Sequence, residues 1–249
     1  MALTNSAMRL HIGTSGWVYR HWFGRFYPPE TKNPLLFYSS YFTTVELNAS
    51  FYRLPTKKAI DKWRKSTPDG FLFSVKGSRY ITHIRRLEGV EESVGNFLDL
   101  VRGFGDKLGP ILWQLPPSMK RDEEKLSSFL ALLPPDFLYS VEFRNDSWFT
   151  PKVLDILSEL GVALCISDMP VLSCPFQATA PFIYVRMHGP SSRYSSRYSE
   201  EELRGLMERI RGLEGSVQDA YIYFNNDYMA YAVENAKELI EMAGLLDTI

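Results

Sequence analysis

The chain has 249 residues, 45% of them hydrophobic and 23% charged, and its net charge of −1 excludes a long-range field that would hold a polyanion nonspecifically. The two cysteines, Cys165 and Cys174, exclude a disulfide framework and a cysteine-rich zinc site. No apolar run approaches the roughly 18 residues of a membrane span and the first nine residues lack a signal-peptide core, so we expect a cytoplasmic protein that has no membrane partner.

Eight short apolar runs follow one another along the chain, and most of them end in a polar or charged residue. In chain order they are residues 10–15, 45–48, 71–76, 111–114, 139–144, 163–168, 182–188 and 220–226. A segment that can hold a helix separates each run from the next, which is the alternation typical of parallel β/α folds. The pattern predicts an α/β fold, a TIM-type (β/α)8 barrel, with residues 1–249 forming a single domain.

Most of the intervening segments show helical periodicity, most clearly 122–133, 153–160 and 230–243. Residues 169–181 contain three prolines and no helical period, so we expect an irregular crossover between strands 6 and 7. The loop over residues 16–30 is long and rich in aromatic residues, which is typical of a lid or a binding wall.

The polar side chains of these runs alternate, so that one face of the strands carries the charge. By this alternation Glu46 lies on the same face as Asn48, Glu142 on the same face as Arg144, and Arg186 on the same face as His188. If that face points into the barrel, three acidic residues meet three basic ones near the carboxyl ends of the strands. They are Glu46, Glu142 and Asp168 against Lys76, Arg144 and Arg186. Such a network could plug the barrel as a purely structural lattice, but its position favours catalysis.

We assign catalytic roles to Glu142, Lys76, His188 and Asp168, because carboxylates, amines and imidazoles move protons. Arg144 and Arg186 are expected to anchor a phosphate or carboxylate with forked hydrogen bonds. The predicted substrate-binding set is Ser15, Trp17, Tyr19, Glu46, Asn48, Tyr52, His83, Gln114, Arg144, Arg186, Asn225 and Asn226.

No cofactor or metal is predicted, since four histidines are too few and too scattered for a multinuclear zinc site. Two alternatives stay open. Glu46, Glu142 and Asp168 could form an oxygen-rich Mg²⁺ or Mn²⁺ site, although nearby cations compete with it. Lys76 could form a Schiff base, although a lysine beside carboxylates is more often an ion-pair partner.

Several motifs occur in the order typical of one family: IGTSGWVYRHWFGRFYP from Ile12, TTVELNASFYRLP from Thr43, VEFRNDSWF from Val141, YVRMHG from Tyr184 and YFNND from Tyr223. With them the chain resembles the YecE-like family, the domain of unknown function 72, over almost its whole length. The resemblance implies a TIM barrel but no reaction, since the family has no established activity. Its pattern residues largely coincide with the strand-end residues. The fold is also similar to that of endonuclease IV and sugar isomerases, but the shortage of histidines argues against their metal chemistry.

The leading hypothesis is an enzyme, a hydrolase, lyase or isomerase, that acts on a small polar, anionic substrate by general acid and base chemistry. A nucleic-acid binding or processing protein is the less favoured alternative. Its groove would be formed by the loop over 16–30 and by five arginines, Arg79, Arg85, Arg86, Arg193 and Arg197. The third hypothesis is a barrel that binds a ligand without turning it over.

Overall fold

The computed structural model describes residues 7–192 and 194–245, so Arg193 of the nucleic-acid hypothesis lies outside the described residues. Eight strands form one parallel sheet in the order β1-β8-β7-β6-β5-β4-β3-β2. The strands are β1 (Arg9–Thr14), β2 (Thr44–Leu47), β3 (Leu72–Lys76), β4 (Leu108–Gln114), β5 (Tyr139–Glu142), β6 (Ala163–Ser167), β7 (Phe182–Met187) and β8 (Asp219–Phe224). The predicted TIM-type barrel is confirmed.

The helices are α1 (Pro34–Tyr38), α2 (Ala49–Tyr52), α3 (Lys57–Lys65), α4 (Glu91–Val101), α5 (Glu123–Leu130), α6 (Pro151–Glu159), α7 (Glu200–Arg211) and α8 (Tyr231–Met242). Five of them begin at a side chain that accepts a hydrogen bond from the first turn. These caps are Asn33, Thr56, Asp122, Thr150 and Ser199. A π-helical turn, Tyr80–Ile84, follows β3.

The barrel closes between β1 and β2, where Ser15 and Glu46 form a parallel bridge. Next to it, the backbone N–H of Gly16 donates to the carbonyl of Glu46 at 2.8 Å. A Cβ atom on Gly13 would lie 2.3 Å from the carbonyl oxygen of Thr44, so only glycine permits the strands to approach this closely. The seam of the barrel therefore lies directly below the expected site.

The outward faces of the strands and the inner faces of the helices form the main hydrophobic core. A second, smaller cluster fills the barrel interior and includes Leu112, Cys165, Tyr184 and Tyr223. The hydroxyl of Tyr223 lies 2.7 Å from Oγ1 of Thr44 and 2.6 Å from Oγ of Ser74, which satisfies these buried polar groups. The interior is thus packed below and polar towards the carboxyl ends of the strands.

Two connections decide what surrounds those carboxyl ends. The crossover between β6 and β7 contains no helix, as its prolines predict. The aromatic rings of the loop over 16–30 mostly pack on one another and on α1; Trp22 and Tyr27 are fully buried. The loop therefore packs largely against itself and α1 beside the barrel. Of its described residues, Tyr19 lines the cavity described below. Within the described residues, no helix combines the length and the apolar character needed to cross a membrane.

Candidate active site

A cavity of about 670 Å³ opens at the carboxyl ends of the strands. Its wall contains four cationic side chains and one carboxylate, that of Asp227. The cations are Lys76, Arg79, Arg144 and Arg186. Hydrogen-bonding groups come from Tyr19, Asn48, Tyr52, His83, Gln114, Tyr194 and Asn225. The chain therefore builds a strongly cationic, partly aromatic pocket where barrels place their chemistry.

Arg186 is the centre of the cavity floor, and only 1% of it is exposed. Its Nη1 donates to Oε2 of Glu142 at 2.8 Å, and its Nη2 donates to Oε1 of Glu46 at 2.8 Å. Nη2 also lies 3.1 Å from Oγ of Ser15. Because protein carboxylates occupy both ends of the fork, this geometry favours a role for Arg186 in holding the two glutamates over the predicted anchoring of a substrate anion.

Glu46 lies below the cavity and is fully buried. Its carboxylate accepts hydrogen bonds from Ser15 Oγ and, at 2.6 Å, from the hydroxyl of Tyr184. Asn48 in turn donates to Ser15 Oγ at 2.6 Å. Burial opposes the charge of Glu46, but Arg186, Ser15 and Tyr184 outweigh burial and lower its pKa. Glu46 and Ser15 therefore support the floor, and neither reaches the cavity wall.

Glu142 is equally buried, and its Oε2 accepts from Nε2 of Gln114 at 2.7 Å. Its Oε1 lies 2.6 Å from Nη2 of Arg144. This contact is an ion pair without hydrogen-bond geometry, and Oε1 has no hydrogen-bond donor among the described residues. Burial opposes its ionisation, but Arg144 and Arg186 hold the pKa far below the usual range. The lowered pKa disfavours Glu142 as a general acid, and its two arginine partners favour a role in holding the cavity floor.

His188 is fully buried behind Arg144. Nη2 of Arg144 lies 2.9 Å from Nε2 of His188, and since a guanidinium can only donate, Nε2 accepts and the ring is neutral. Burial lowers the pKa of His188, and the positive charge of Arg186 lowers it further. Asp168 accepts from the backbone N–H of His188 at 2.6 Å and from the hydroxyl of Tyr198. His188 and Asp168 thus position Arg144 and do not contact the cavity, contrary to their expected catalytic roles.

Lys76 ends β3 and reaches the cavity wall with 8% of its surface exposed. Among the described residues, no carboxylate lies within 4.0 Å of its Nζ, which stands 4.2 Å from the ring centre of Phe51. Burial, and then the charge of Arg186, lower its pKa to about 7. The expected network of three acids against three bases is therefore wrong. Two glutamates face two arginines, Asp168 faces away, and Lys76 has no ionic partner in the described ranges.

The remaining substrate-binding predictions divide into two groups. Tyr19, Asn48, Tyr52, His83, Gln114 and Asn225 line the cavity, together with Arg144 and Arg186. Trp17 does not, because its ring packs edge-on against Trp63 and Phe73 in the main core. Asn226 does not either, since its buried amide donates to Ser196 and Asn235.

Eight cavity residues were not in the predicted small-molecule site, and three of them are polar: Arg79, Tyr194 and Asp227. Arg79 was considered only for a nucleic-acid groove, and the turn before Tyr80–Ile84 carries it to the cavity instead. Asp227 is the last residue of the YFNND motif, and burial raises its pKa. The position of Asp227, just beyond a strand end, was the signal that could have identified it.

Metal coordination would need acidic or imidazole groups that converge. In the ranges 7–192 and 194–245, no group of three His, Cys, Asp or Glu residues is placed to hold an ion. The alternative trio of Glu46, Glu142 and Asp168 does not converge, because Arg186 bridges the first two and Asp168 bonds to His188 and Tyr198.

Comparison with known proteins places this chain in a wider group. The family model described as "Protein of unknown function DUF72" matches residues 11–248. The chain is 27% identical to UPF0759 protein YunF of Bacillus subtilis over 94% of both chains. It is 33% identical to UPF0759 protein YecE of Escherichia coli K12, over 45% of this chain and 42% of that protein.

Solved structures give the same result for the fold. A DUF72 family protein from Thermotoga maritima superimposes with a TM-score of 0.86 at 30% identity, covering 95% of this chain and 99% of that chain. A DUF72 family protein from Enterococcus faecalis gives a TM-score of 0.84 at 22% identity, covering 95% and 96%. The second likeness supports the barrel alone.

Proposed function

Since this chain belongs to the DUF72 family, a family of unknown function, we propose its function from the site: it is an enzyme that acts on a small anionic molecule. The substrate carries a phosphate or a carboxylate, and the reaction proceeds by proton transfer at the carboxyl ends of the strands. One observation carries the proposal. The cavity wall holds four cationic side chains and one carboxylate; Glu46 and Glu142 beneath it pair with Arg186 and Arg144, which leaves Lys76 and Arg79 without an ionic partner among the described residues.

The excess positive charge is available to a ligand in two places. Arg79 is exposed, and no acidic side chain in the described part of the protein lies within 4.0 Å of it. Arg144 lines the wall with 8% of its side chain exposed, and His188 and the carboxylate of Glu142 hold it in place. Guanidinium groups recognise phosphates and carboxylates by charge-assisted hydrogen bonds. Amides of Asn48, Gln114 and Asn225 complete a wall suited to hydroxyl and carbonyl groups.

The proton-transfer role falls to Lys76. With a pKa of about 7, its amine is part neutral and part charged near neutral pH, so the same group can accept a proton and return it. His83 is the second candidate on the wall: burial and then Lys76 lower its pKa to about 4, which leaves a neutral imidazole. Hydrolases, lyases and isomerases all use such groups. We therefore propose the charge of the substrate and the residue that carries the proton, and all three reaction classes stay open.

The alternative of nucleic-acid binding has less support. Its groove required the aromatic rings of residues 16–30 as a stacking wall, and Trp22 and Tyr27 are fully buried. A ligand-binding barrel without turnover would share the cationic cavity and differ only in forming no product.

We expect inorganic phosphate or malonate to bind the cavity and Arg79→Ala to weaken that binding about tenfold or more, because a charge-assisted hydrogen bond contributes about 1.5–3 kcal/mol. Isothermal titration calorimetry at low ionic strength measures the effect. Arg85→Ala is the matched control, since Arg85 belongs to the same exposed segment but not to the cavity wall. If neither anion binds, or both variants lose affinity equally, the anion site is wrong.

A further inference from the structure

We propose that Lys76 is a covalent catalyst, forming an imine with an aldehyde or ketone that carries the phosphate or carboxylate. The inference rests on the proposed function and narrows its substrate class to anionic carbonyl compounds. Two buried lysines differ in their hydrogen bonds: Nζ of Lys107 has three acceptors, and Nζ of Lys76 has none among the described residues.

Lys107 is the structural one. It is buried, and its Nζ donates to the carbonyl oxygens of Arg64 at 2.8 Å and Thr67 at 2.7 Å, with Oγ1 of Thr67 at 3.3 Å. An ammonium group has three donors, and these three acceptors match them. All three donors of Lys107 therefore have acceptors, and its role is structural.

Lys76 is just as enclosed but has no such acceptors. No hydrogen bond from its Nζ is present among the described residues, and Nζ stands 4.2 Å from the ring centre of Phe51. Its own carbonyl oxygen accepts from Ser50 Oγ at 2.6 Å, which fixes the end of β3 below the amine. A desolvated lysine beside other cations favours the neutral amine, the nucleophilic form. Burial and the charge of Arg186 lower its pKa accordingly.

The cavity supplies the second requirement, an anchor for the rest of the molecule. Arg79 and Arg144 share the wall with Lys76, so an anion held by them would bring an attached carbonyl group to the amine. The volume of about 670 Å³ admits a small metabolite together with the water that the reaction releases.

The covalent step balances without any further reagent. The neutral amine of Lys76 attacks the carbonyl carbon, the C–N bond forms, and the carbonyl oxygen takes up a proton to give a carbinolamine. The hydroxyl group takes a proton from solvent and leaves as water, and the nitrogen lone pair forms the C=N bond of a protonated imine that keeps the second amine proton. The protonated imine then accepts the electron pair of a neighbouring C–H or C–C bond, and hydrolysis later restores Lys76.

The test is reductive trapping of the imine. The whole protein is incubated with glyoxylate, a small anionic aldehyde, and sodium cyanoborohydride at pH 7, and the modified lysines are mapped by mass spectrometry. We expect Lys76 to be labelled about tenfold or more faster than Lys237, because more of its amine is positioned and neutral. Lys237 is a stringent comparison, since burial lowers its pKa too and its Nζ lies 3.9 Å from the ring centre of Tyr41, away from the cavity.

Three controls separate this inference from the proposed function. Lys76→Arg should lose the label, acetaldehyde should label wild-type Lys76 about tenfold or more slowly than glyoxylate, and saturating inorganic phosphate should suppress glyoxylate labelling to a similar extent. Phosphate binding in calorimetry with no preferential labelling of Lys76 overturns the imine and leaves the anion site standing. Equal labelling by both aldehydes, unaffected by phosphate, overturns the anionic substrate class and with it both proposals.

Discussion

Replacing Arg186 with methionine is expected to lower the free energy of unfolding by about 3–5 kcal/mol, the cost of leaving a buried charge without its partner. Arg186 is the only cation within 4.0 Å of the Glu46 carboxylate in the described parts of the chain, and both side chains are fully buried. Glu142 keeps Arg144 nearby at 2.6 Å, so the penalty arises mainly at Glu46. Urea unfolding at pH 7 measures the loss.

Two further variants identify the cause of that loss. Adding Glu46→Gln to Arg186→Met should restore about 1–3 kcal/mol, because the double variant no longer buries an unpaired carboxylate. Arg9→Met removes a similarly close ion pair, 2.7 Å to Asp219, but Arg9 is 68% exposed and the expected cost is below about 1 kcal/mol. Equal losses for Arg186→Met and Arg9→Met would contradict the central role of the buried fork.

Replacing Lys76 with methionine is expected to stabilise the protein at pH 7, by about 2–4 kcal/mol. Folding lowers the pKa of Lys76 from 10.5 to about 7, so the folded state binds fewer protons than the unfolded chain. The difference between the folded and unfolded pKa lowers the free energy of unfolding by its full amount below pH 7. The loss becomes smaller as the pH rises towards 10.5. The gain from Lys76→Met should therefore be large at pH 7 and small near pH 10.

Lys107→Met is the matched control, and we expect it to change the free energy of unfolding in the opposite direction. It should destabilise the protein by about 1–3 kcal/mol, because the acceptors on Arg64 and Thr67 lose their donor. If Lys76→Met is destabilising to the same degree as Lys107→Met, then Lys76 is a structural ammonium group and the proton-transfer role fails.

Much of the fold could be predicted from the sequence, because a barrel strand is buried on both faces and reads as an apolar run. All eight runs became strands, with ends that differ by at most a few residues. The helix predicted over 122–133 ends at Leu130, because residues 131–133 turn instead towards Pro134. The helix α2 has only four residues, too few to show a periodic pattern.

The site was predictable as a set of residues but not as a set of roles. Strand parity correctly brought Glu46, Glu142 and Arg186 together, since residues two apart share a face. It could not show which oxygen each guanidinium nitrogen contacts. Those contacts decide whether Arg186 is free to bind a substrate anion or instead holds the glutamates of the cavity floor. For the same reason the sequence could not distinguish Lys76 from a lysine in an ion pair. The distinction depends on whether a carboxylate lies within 4.0 Å of its Nζ.

The measurement that tests the account most directly is the pH dependence of Lys76 acylation. Competitive labelling with acetic anhydride, quantified by peptide mass spectrometry from pH 5 to about 11, gives the midpoint at which the amine becomes reactive. The account predicts a midpoint near 7 for Lys76, moving upward when saturating phosphate occupies the cavity and favours the charged amine. A midpoint near 10.4, typical of exposed lysines, or one that phosphate does not move, would contradict it.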